Sequence, residues 1–339
     1  MPGRQMKAGD LVELRSPAEI LATLDDTGAT EGLPFMPEML DFFGGKFRVQ
    51  VRVERACDTL KWGVRRIPDT VMLDDLRCSG AAHAGCQAGC RIYWKEAWLR
   101  PASESSTPVV RDDAYAELEK LVSQNVETAA STTDEPIFRC QATDWFGASQ
   151  PVAWWSMRSF VGEWRCGNVS FWRFSKTMAR IVVSEIGRRL RLIPREAFMP
   201  HNPSIEPDNP PPSFGLKPGS LVQVRSKKEI AQTLDARGKN KGLWFDREMV
   251  AFCGKTFPVM TRVQRFIDEG TGKMIQLKSD AYILDGVVCS GDVNEGKWFC
   301  RRAIYQYWRE AWLRPVGEEG STVNAGPKEH VGGRGYRPE

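Results

Sequence analysis

The chain of 339 residues has no long hydrophobic run. No window approaches the roughly 18 uninterrupted apolar residues that a membrane-spanning helix needs. The first seven residues also lack the apolar core of a secretion signal. The sequence therefore argues against a membrane protein and against a secreted one, and we expect a soluble, cytoplasmic protein.

Histidine is scarce, and its scarcity limits the chemistry. The chain has three, at His83, His201 and His330, and the last two lie in proline- and glycine-rich stretches that we interpret as linker and tail. P-loop, dinucleotide-binding, His-Glu-x-x-His and Cys-x-x-Cys-His motifs are all missing, which argues against nucleotide-driven chemistry. The net charge of +4 is too small to indicate a nucleic-acid partner by itself.

Cysteine and tryptophan are abundant instead, with nine and twelve residues. Nine is an odd number, and the thiols of a cytoplasmic protein stay reduced. We therefore expect metal ligands or buried apolar thiols rather than a disulfide framework. The length predicts two or three domains.

An internal repeat organises the chain. Residues 9–58 align without a gap with residues 219–268, and nearly half of the aligned positions are identical. The similarity resumes at a shifted offset in Tyr-Trp-x-Glu-Ala-Trp-Leu-Arg-Pro, at 93–101 and 307–315. This pattern indicates a duplicated module of about a hundred residues, a normal size for a small domain.

Local signals within each module predict short helices and strands. Ser16 and Glu19 form a capping box ahead of a helix, and the second copy repeats it. A second short helix is expected to end at Gly44, the usual place for a left-handed stop. Residues 47–53 alternate as a half-buried strand does, and residues 70–76 are its expected hairpin partner. We interpret each module as a small curled sheet with two short helices.

The predicted fold class is α+β, with two homologous modules flanking a Trp-rich central α/β region. The expected domains are residues 1–101 for the first module with its metal site, 102–205 for the Trp- and Arg-rich centre, 206–316 for the second module with a degraded metal site, and 317–339 for a disordered tail.

Four cysteines of the first module form a candidate metal site: Cys57, Cys78, Cys86 and Cys90. We expect Cys57 and Cys78 at the ends of two paired strands, where they can approach each other. Four thiolates suit tetrahedral Zn²⁺, and the same set could hold an iron–sulfur cluster. His83 could replace one thiolate or support a ligand sulfur. The alternative is a cluster of small buried residues without a metal.

The second module retains part of this set. Cys289 and Cys300 correspond to Cys78 and Cys86, whereas isoleucines stand at the other two positions. Cys253 is a third thiol that could turn inward. These three are weaker metal candidates, because a decayed site now serving as core is the favoured interpretation.

Tryptophan and arginine alternate densely between residues 145 and 195. Aromatic side chains interleaved with basic ones can stack on bases and pair with phosphates, so nucleic-acid binding is one alternative, though not the favoured one. Such surfaces also bind sugars and planar small molecules, and packing between domains favours the same residue types.

Two motifs stand in the first module: Cys-Ser-Gly-Ala-Ala-His-Ala-Gly-Cys-Gln-Ala-Gly-Cys at 78–90 and Trp-Lys-Glu-Ala-Trp-Leu at 94–99. In these motifs the chain resembles a group of uncharacterised bacterial proteins with tandem Cys-containing modules, encoded near polysaccharide or specialised-metabolite genes. The resemblance covers both modules and Cys-Gln-Ala-Thr at 140–143. It implies a place in a bacterial biosynthetic pathway.

The leading hypothesis is a zinc-stabilised binding or accessory protein whose partner is a protein or a small molecule. One alternative is a Cys-ligated metalloenzyme or an iron–sulfur redox protein. The second alternative is a nucleic-acid-binding protein.

Overall fold

The structure, a computed structural model, describes residues 5–61, 63–103, 111–132, 135–189, 214–291 and 297–316. Within these ranges the chain forms several small, mainly antiparallel sheets and a few helices, which confirms the predicted α+β class. The predicted tail with His330 lies outside the described residues, as does His201.

The chain divides into two compact units. The first comprises Met1–Val182, Arg265–Gln276 and Ser290–Ile304, and the second comprises Val183–Gln264, Leu277–Cys289 and Tyr305–Glu339. Two segments of the second module therefore belong to the first unit. The four-part domain division drawn from the sequence stays a prediction.

The first unit is built on a five-stranded sheet with strand order β8-β7-β4-β1-β9 and a three-stranded sheet with order β10-β6-β5. The strands of this unit are β1 (Leu11–Leu14), β2 (Ala29–Thr30), β3 (Leu33–Pro34), β4 (Lys46–Arg52), β5 (Ala56–Cys57), β6 (Val64–Arg66), β7 (Thr70–Leu73), β8 (Trp94–Lys95), β9 (Leu99–Pro101) and β10 (Gln150–Val152). The predicted pairing of β4 with β7 is present and aligns Val51 with Met72.

The helices of the first unit include the two short ones predicted for the module, the second of which is a 3₁₀ helix. They are α1 (Pro17–Leu21), α2 (Asp113–Gln124), α3 (Gln141–Ala148), α4 (Met157–Arg165) and the start of α5 (Phe171–Arg189), with 3₁₀ helices at Pro37–Phe42 and Glu96–Trp98. The capping box at Ser16 and Glu19 is formed in both directions. Gly44 has a φ of 80°, as the expected left-handed stop requires.

One apolar core joins the first module to α2 and α3. Trp98 is fully buried, packs edge-on against Phe35 at 5.2 Å between ring centroids, and donates its indole N–H to Thr30. The buried amide of Gln141, at the start of α3, accepts from the backbone N–H of Tyr93 at 2.8 Å and donates to its carbonyl at 2.8 Å. These bonds satisfy a buried polar group and fix α3 on the module.

The second unit has a five-stranded sheet whose order, β16-β15-β14-β11-β17, places the corresponding strands in the same sequence. Its elements are β11 (Leu221–Val224), α6 (Lys227–Ala231), β12 (Lys239–Asn240), β13 (Leu243–Trp244), β14 (Thr256–Ile267), β15 (Met274–Leu284), β16 (Trp308–Arg309) and β17 (Leu313–Pro315), with 3₁₀ helices at Arg247–Phe252 and Glu310–Trp312. The end of β14 and the start of β15 extend into the first unit. Trp312 packs edge-on against Phe245 at 5.3 Å and donates to Thr233.

Candidate metal centre

Glu38, Cys78 and His83 bring three different metal-ligating atoms together in the first unit. One carboxylate oxygen, the thiol sulfur and one ring nitrogen all lie within 4.8 Å of one another. Among the described residues this is the only group of three or more His, Cys, Asp or Glu side chains with such spacing. The three residues could hold a metal ion, and we refer to them as the Glu38–Cys78–His83 group.

Short, tightly turned segments position this group. Glu38 lies in the first turn of the 3₁₀ helix Pro37–Phe42 and is buried. Cys78 follows β7, and its backbone N–H donates to the carbonyl of Cys90 at 2.8 Å. The turn continues through Gly80, whose carbonyl accepts from the N–H of His83 at 3.0 Å.

Gly80 is required by this turn. Its φ is 70°, a left-handed conformation that glycine adopts without strain. A Cβ atom at this position would also lie 2.0 Å from the carbonyl oxygen of Cys86. A glycine at the centre of the Cys-Ser-Gly turn is therefore what allows residues 78–86 to fold back beside Glu38.

The hydrogen bonds of His83 define its ring orientation. Nδ1 lies 2.7 Å from Oε1 of Glu38, and Nε2 lies 3.1 Å from the carbonyl oxygen of Arg139. A carbonyl accepts only, so Nε2 carries a proton. Histidine ligands in metal sites commonly donate one N–H to a carbonyl and bind the metal through the other nitrogen. A metal ion would therefore bind at Nδ1, in place of the proton that Nδ1 shares with Glu38 when no metal is bound.

Burial and charge act in opposite directions on Glu38. Burial raises the pKa of its carboxyl, but the hydrogen bond and positive charge of His83 outweigh burial, so the pKa lies below its usual value. Oε1 also accepts from the backbone N–H of Ala82 at 3.2 Å, whereas the buried Oε2 has no hydrogen-bond partner within the described part of the chain. An unsatisfied buried carboxylate oxygen is costly, and a bound cation would satisfy it.

Burial and the neighbouring negative charge of Glu38 raise the pKa of the Cys78 thiol. Without a cation, Cys78 is therefore a neutral thiol beside a carboxylate. A metal ion would reverse this preference, because a coordinating thiol is deprotonated by the charge of the metal.

Cys57 lies apart from this group, in the three-stranded sheet. Its backbone N–H donates to the sulfur of Cys300 at 3.1 Å, and Arg302 donates to its carbonyl at 3.1 Å. A hydrogen bond with the Cys300 side chain lowers the pKa of the Cys57 thiol, and the positive charges of Arg302 and Lys297 act in the same direction, whereas burial opposes the shift. The chain leaves the five-stranded sheet after β4, so Cys57 does not end a strand paired with β7 as the sequence led us to expect.

The other predicted ligands are distributed over both units. The sulfur of Cys86 accepts from the backbone N–H of Ile267 at 3.4 Å, and burial raises the pKa of the Cys90 thiol to about 12. In the second unit, Cys253 packs against the apolar core and Cys289 is half-buried. The four-thiol site of the first module stays a prediction, as does metal binding by Cys253, Cys289 and Cys300.

Sequence reasoning missed Glu38. A signal was present, since Glu38 and its counterpart Glu248 are identical and stand in the same Glu-Met pair of both modules. Both are buried in 3₁₀ helices, where a carboxylate is unexpected without a partner. A charged residue repeated within an apolar segment was therefore the available indication.

The Trp-rich centre exposes part of its aromatic side chains. Trp145 is fully buried in the core of the first module, whereas Trp155 and Trp172 are 64% and 75% exposed. The arginines at 191 and 195 lie outside the described residues, so the structure describes only part of the basic segment that the nucleic-acid hypothesis depends on.

No helix in the described ranges is long and apolar enough to cross a membrane.

Comparison with known proteins found no similar protein. No protein-family model matches the chain, and neither the curated proteins nor the solved structures contain a match.

Proposed function

We propose that this protein binds one zinc ion at the Glu38–Cys78–His83 group, and that the zinc stabilises a binding or accessory protein. The observation that carries the proposal is the convergence of a thiol, an imidazole and a carboxylate within 4.8 Å, with one carboxylate oxygen left without a partner among the described residues. Sulfur, nitrogen and oxygen are the three donor types that Zn²⁺ accepts in proteins.

The donor set favours zinc over an iron–sulfur cluster. Clusters are held mainly by cysteine thiolates, and this group offers one thiol beside two ligands of other types. An iron–sulfur redox protein is therefore the weaker alternative.

Burial favours a structural metal over a catalytic one. Glu38 and His83 are 5% and 1% exposed, so a substrate has little access to an ion between them. Zinc in this place would join the loop of residues 78–90 to the 3₁₀ helix Pro37–Phe42. The partner of the stabilised protein is then a small molecule or a protein of a bacterial biosynthetic pathway, as the family resemblance implies.

Elemental analysis of the purified chain tests the metal. We expect one zinc per chain and a colourless protein. Glu38→Gln, Cys78→Ser and His83→Gln are each expected to weaken zinc binding at least about tenfold, because each removes a ligand. The matched variants Glu248→Gln and Cys289→Ser, at the corresponding positions of the second module, are expected to keep the zinc.

A second pair of variants separates this group from the four-thiol site. Cys86→Ser and Cys90→Ser are expected to leave the zinc content unchanged. If they release the zinc while His83→Gln retains it, the four-thiol site is correct and the Glu38–Cys78–His83 proposal is wrong. A folded wild-type protein that takes up no zinc would contradict both.

A further inference from the structure

The first unit contains a cavity of about 760 Å³, bordered by the N-terminal segment, β10 and α4. Cavities that hold small-molecule ligands typically have volumes of about 300–1,000 Å³. None of its lining residues belongs to the Glu38–Cys78–His83 group. The cavity is therefore a separate candidate site.

Its lining carries an excess of positive charge, with five basic side chains and one acidic one. Arg52 and the acidic residue, Glu54, form an ion pair at 3.2 Å, and Arg52 also pairs with Asp69 at 2.9 Å. These groups satisfy each other, so neither is available to a ligand without breaking an existing contact.

The other four basic residues are Lys7, Arg66, Arg158 and Arg165. Within the described ranges, the charged groups of these four side chains have no ion pair or hydrogen bond. A single unpaired arginine on a convex surface is ordinary, but four cations around one concavity repel one another and raise the local concentration of anions. A bound anion would relieve the repulsion.

Helix α4 positions two of these four basic residues. Arg158 and Arg165 are seven residues apart on this helix and share a face, and both border the cavity. Beyond the helix, the Asn168 side chain donates to Glu163 at 2.8 Å and to the carbonyl of Arg52 at 2.7 Å, which ties α4 to β4. The positions of the two arginine backbones are thus fixed before a ligand binds.

Uncharged residues, polar and apolar, form the rest of the lining. Pro151, Val152 and Val161 border the cavity. A lining that combines several cations with an apolar portion suits a molecule with a charged end and an organic body. The limited volume favours a small molecule over a nucleic-acid strand, which is bound along an extended groove.

We propose that this cavity binds a small organic phosphate with at least two negative charges, its phosphates between Arg158, Arg165 and Lys7. Guanidinium groups match phosphate oxygens with two parallel hydrogen bonds. This inference gives a ligand class to the binding role proposed above, but it does not depend on zinc, and zinc content and ligand affinity are measured independently.

Isothermal titration of the full chain at low salt tests the proposal, with pyrophosphate and adenosine diphosphate as probes and citrate as a carboxylate of similar charge. We expect one saturable site for both phosphates and weaker binding of citrate. Arg158→Gln combined with Arg165→Gln is expected to weaken phosphate binding at least about tenfold, since charged hydrogen bonds are lost. Arg180→Gln, an exposed arginine on α5 outside the cavity, serves as the matched control and is expected to bind as the wild type does.

Four results would overturn the proposal: no saturable binding of either phosphate, unchanged affinity in the double variant, an equal loss in Arg180→Gln, or citrate binding as tightly as the phosphates. Tighter binding of a short single-stranded oligonucleotide, lost in the same double variant, would assign the surface to nucleic acid instead. Unchanged zinc content in the double variant would show that the metal proposal stands or falls separately.

Discussion

The first and second modules have separate cores built from corresponding residues, and they differ around the candidate metal centre. The paired aromatic rings of Phe35 and Trp98 recur as Phe245 and Trp312 with nearly the same separation, 5.2 and 5.3 Å. The glutamate and the cysteine of the Glu38–Cys78–His83 group also recur, but no histidine lies between Cys289 and Cys300.

This difference distinguishes the residues that form the five-stranded sheet from the residues that stabilise the loop of residues 78–90. Both modules form a five-stranded sheet of the same order, although only the first contains the complete ligand group. Burial of apolar side chains is therefore sufficient to specify the sheet. The proposed metal would act only on residues 78–90. Each of the following tests compares a feature of one region with its presence or absence in the other.

The largest effect is expected from the shared aromatic pair. Trp98→Ala and Trp312→Ala each remove a fully buried indole and are expected to lower the free energy of unfolding by about 3–5 kcal/mol. Hydrogen exchange resolves the two sites, with the amides of Val49 reporting on β4 and Val259 on β14. Equal losses of stability in the two variants would support equivalent cores in the two modules, whereas a loss in one variant alone would contradict this equivalence.

Glu163, in the region of the chain between the two modules, has a buried carboxyl that has no counterpart in either module. Burial raises the pKa of Glu163 from its usual 4.5 to about 8, although Asn168 and two arginines oppose the shift. The folded state therefore retains the proton that the unfolded state loses above pH 4.5. The stabilisation is present below that pH and is lost as the pH rises through 8.

Glu163→Gln is accordingly expected to remove this loss of stability at high pH. The variant is expected to stabilise the first unit by a few kcal/mol at pH 9 and to have little effect at pH 4. Unfolding in urea at the two pH values provides the measurement. A pH dependence that is the same in the variant and the wild type would assign the titration to another group.

Chelation is expected to have a smaller and local effect. Chelation of the proposed zinc would leave the Glu38–Cys78–His83 group without a cation, so the turn amides of His83 and Cys86 are expected to exchange about tenfold faster. The amide of Val287, which donates to Leu284 in a turn of the second unit, is the internal control and is expected to be unchanged. Uniform acceleration in both units would mean that the metal supports more than one loop.

The smallest effect concerns the twin capping boxes. The hydroxyls of Ser16 and Ser226 each accept from the N–H of a glutamate three residues later at 3.3 Å. Ser16→Ala and Ser226→Ala are each expected to cost about 1 kcal/mol in urea unfolding. The costs are expected to agree within a few tenths, and a clear inequality would show that the two helices differ in their surroundings.

Much of each module could be predicted from the sequence because the signals are local. The capping box at Ser16, the stop at Gly44 and the pairing of β4 with β7 depend on neighbouring residues or on a short hairpin, and all three are present.

The candidate site was only partly predictable because its members are distant in sequence. Glu38 and His83 are 45 residues apart, and the Arg139 carbonyl that orients the ring lies 56 residues further from His83. The partner of Cys57 is 243 residues away. Spacing between cysteines gave no information about these contacts, since the chain leaves one sheet after Arg52 and enters another at Ala56.

The discontinuous composition of the first unit has a consequence for synthesis. Arg55 donates to the carbonyl of Trp298 at 3.0 Å, and Arg77 donates to that of Ala303 at 3.1 Å, so the unit includes contacts that close loops of more than 200 residues. Contacts of such long range form late, because loop closure costs entropy first. The N-terminal module leaves the ribosome first, yet its unit is complete only after residue 304 has emerged. The part of the protein that is made first can therefore complete its fold only after most of the second module has also been synthesised.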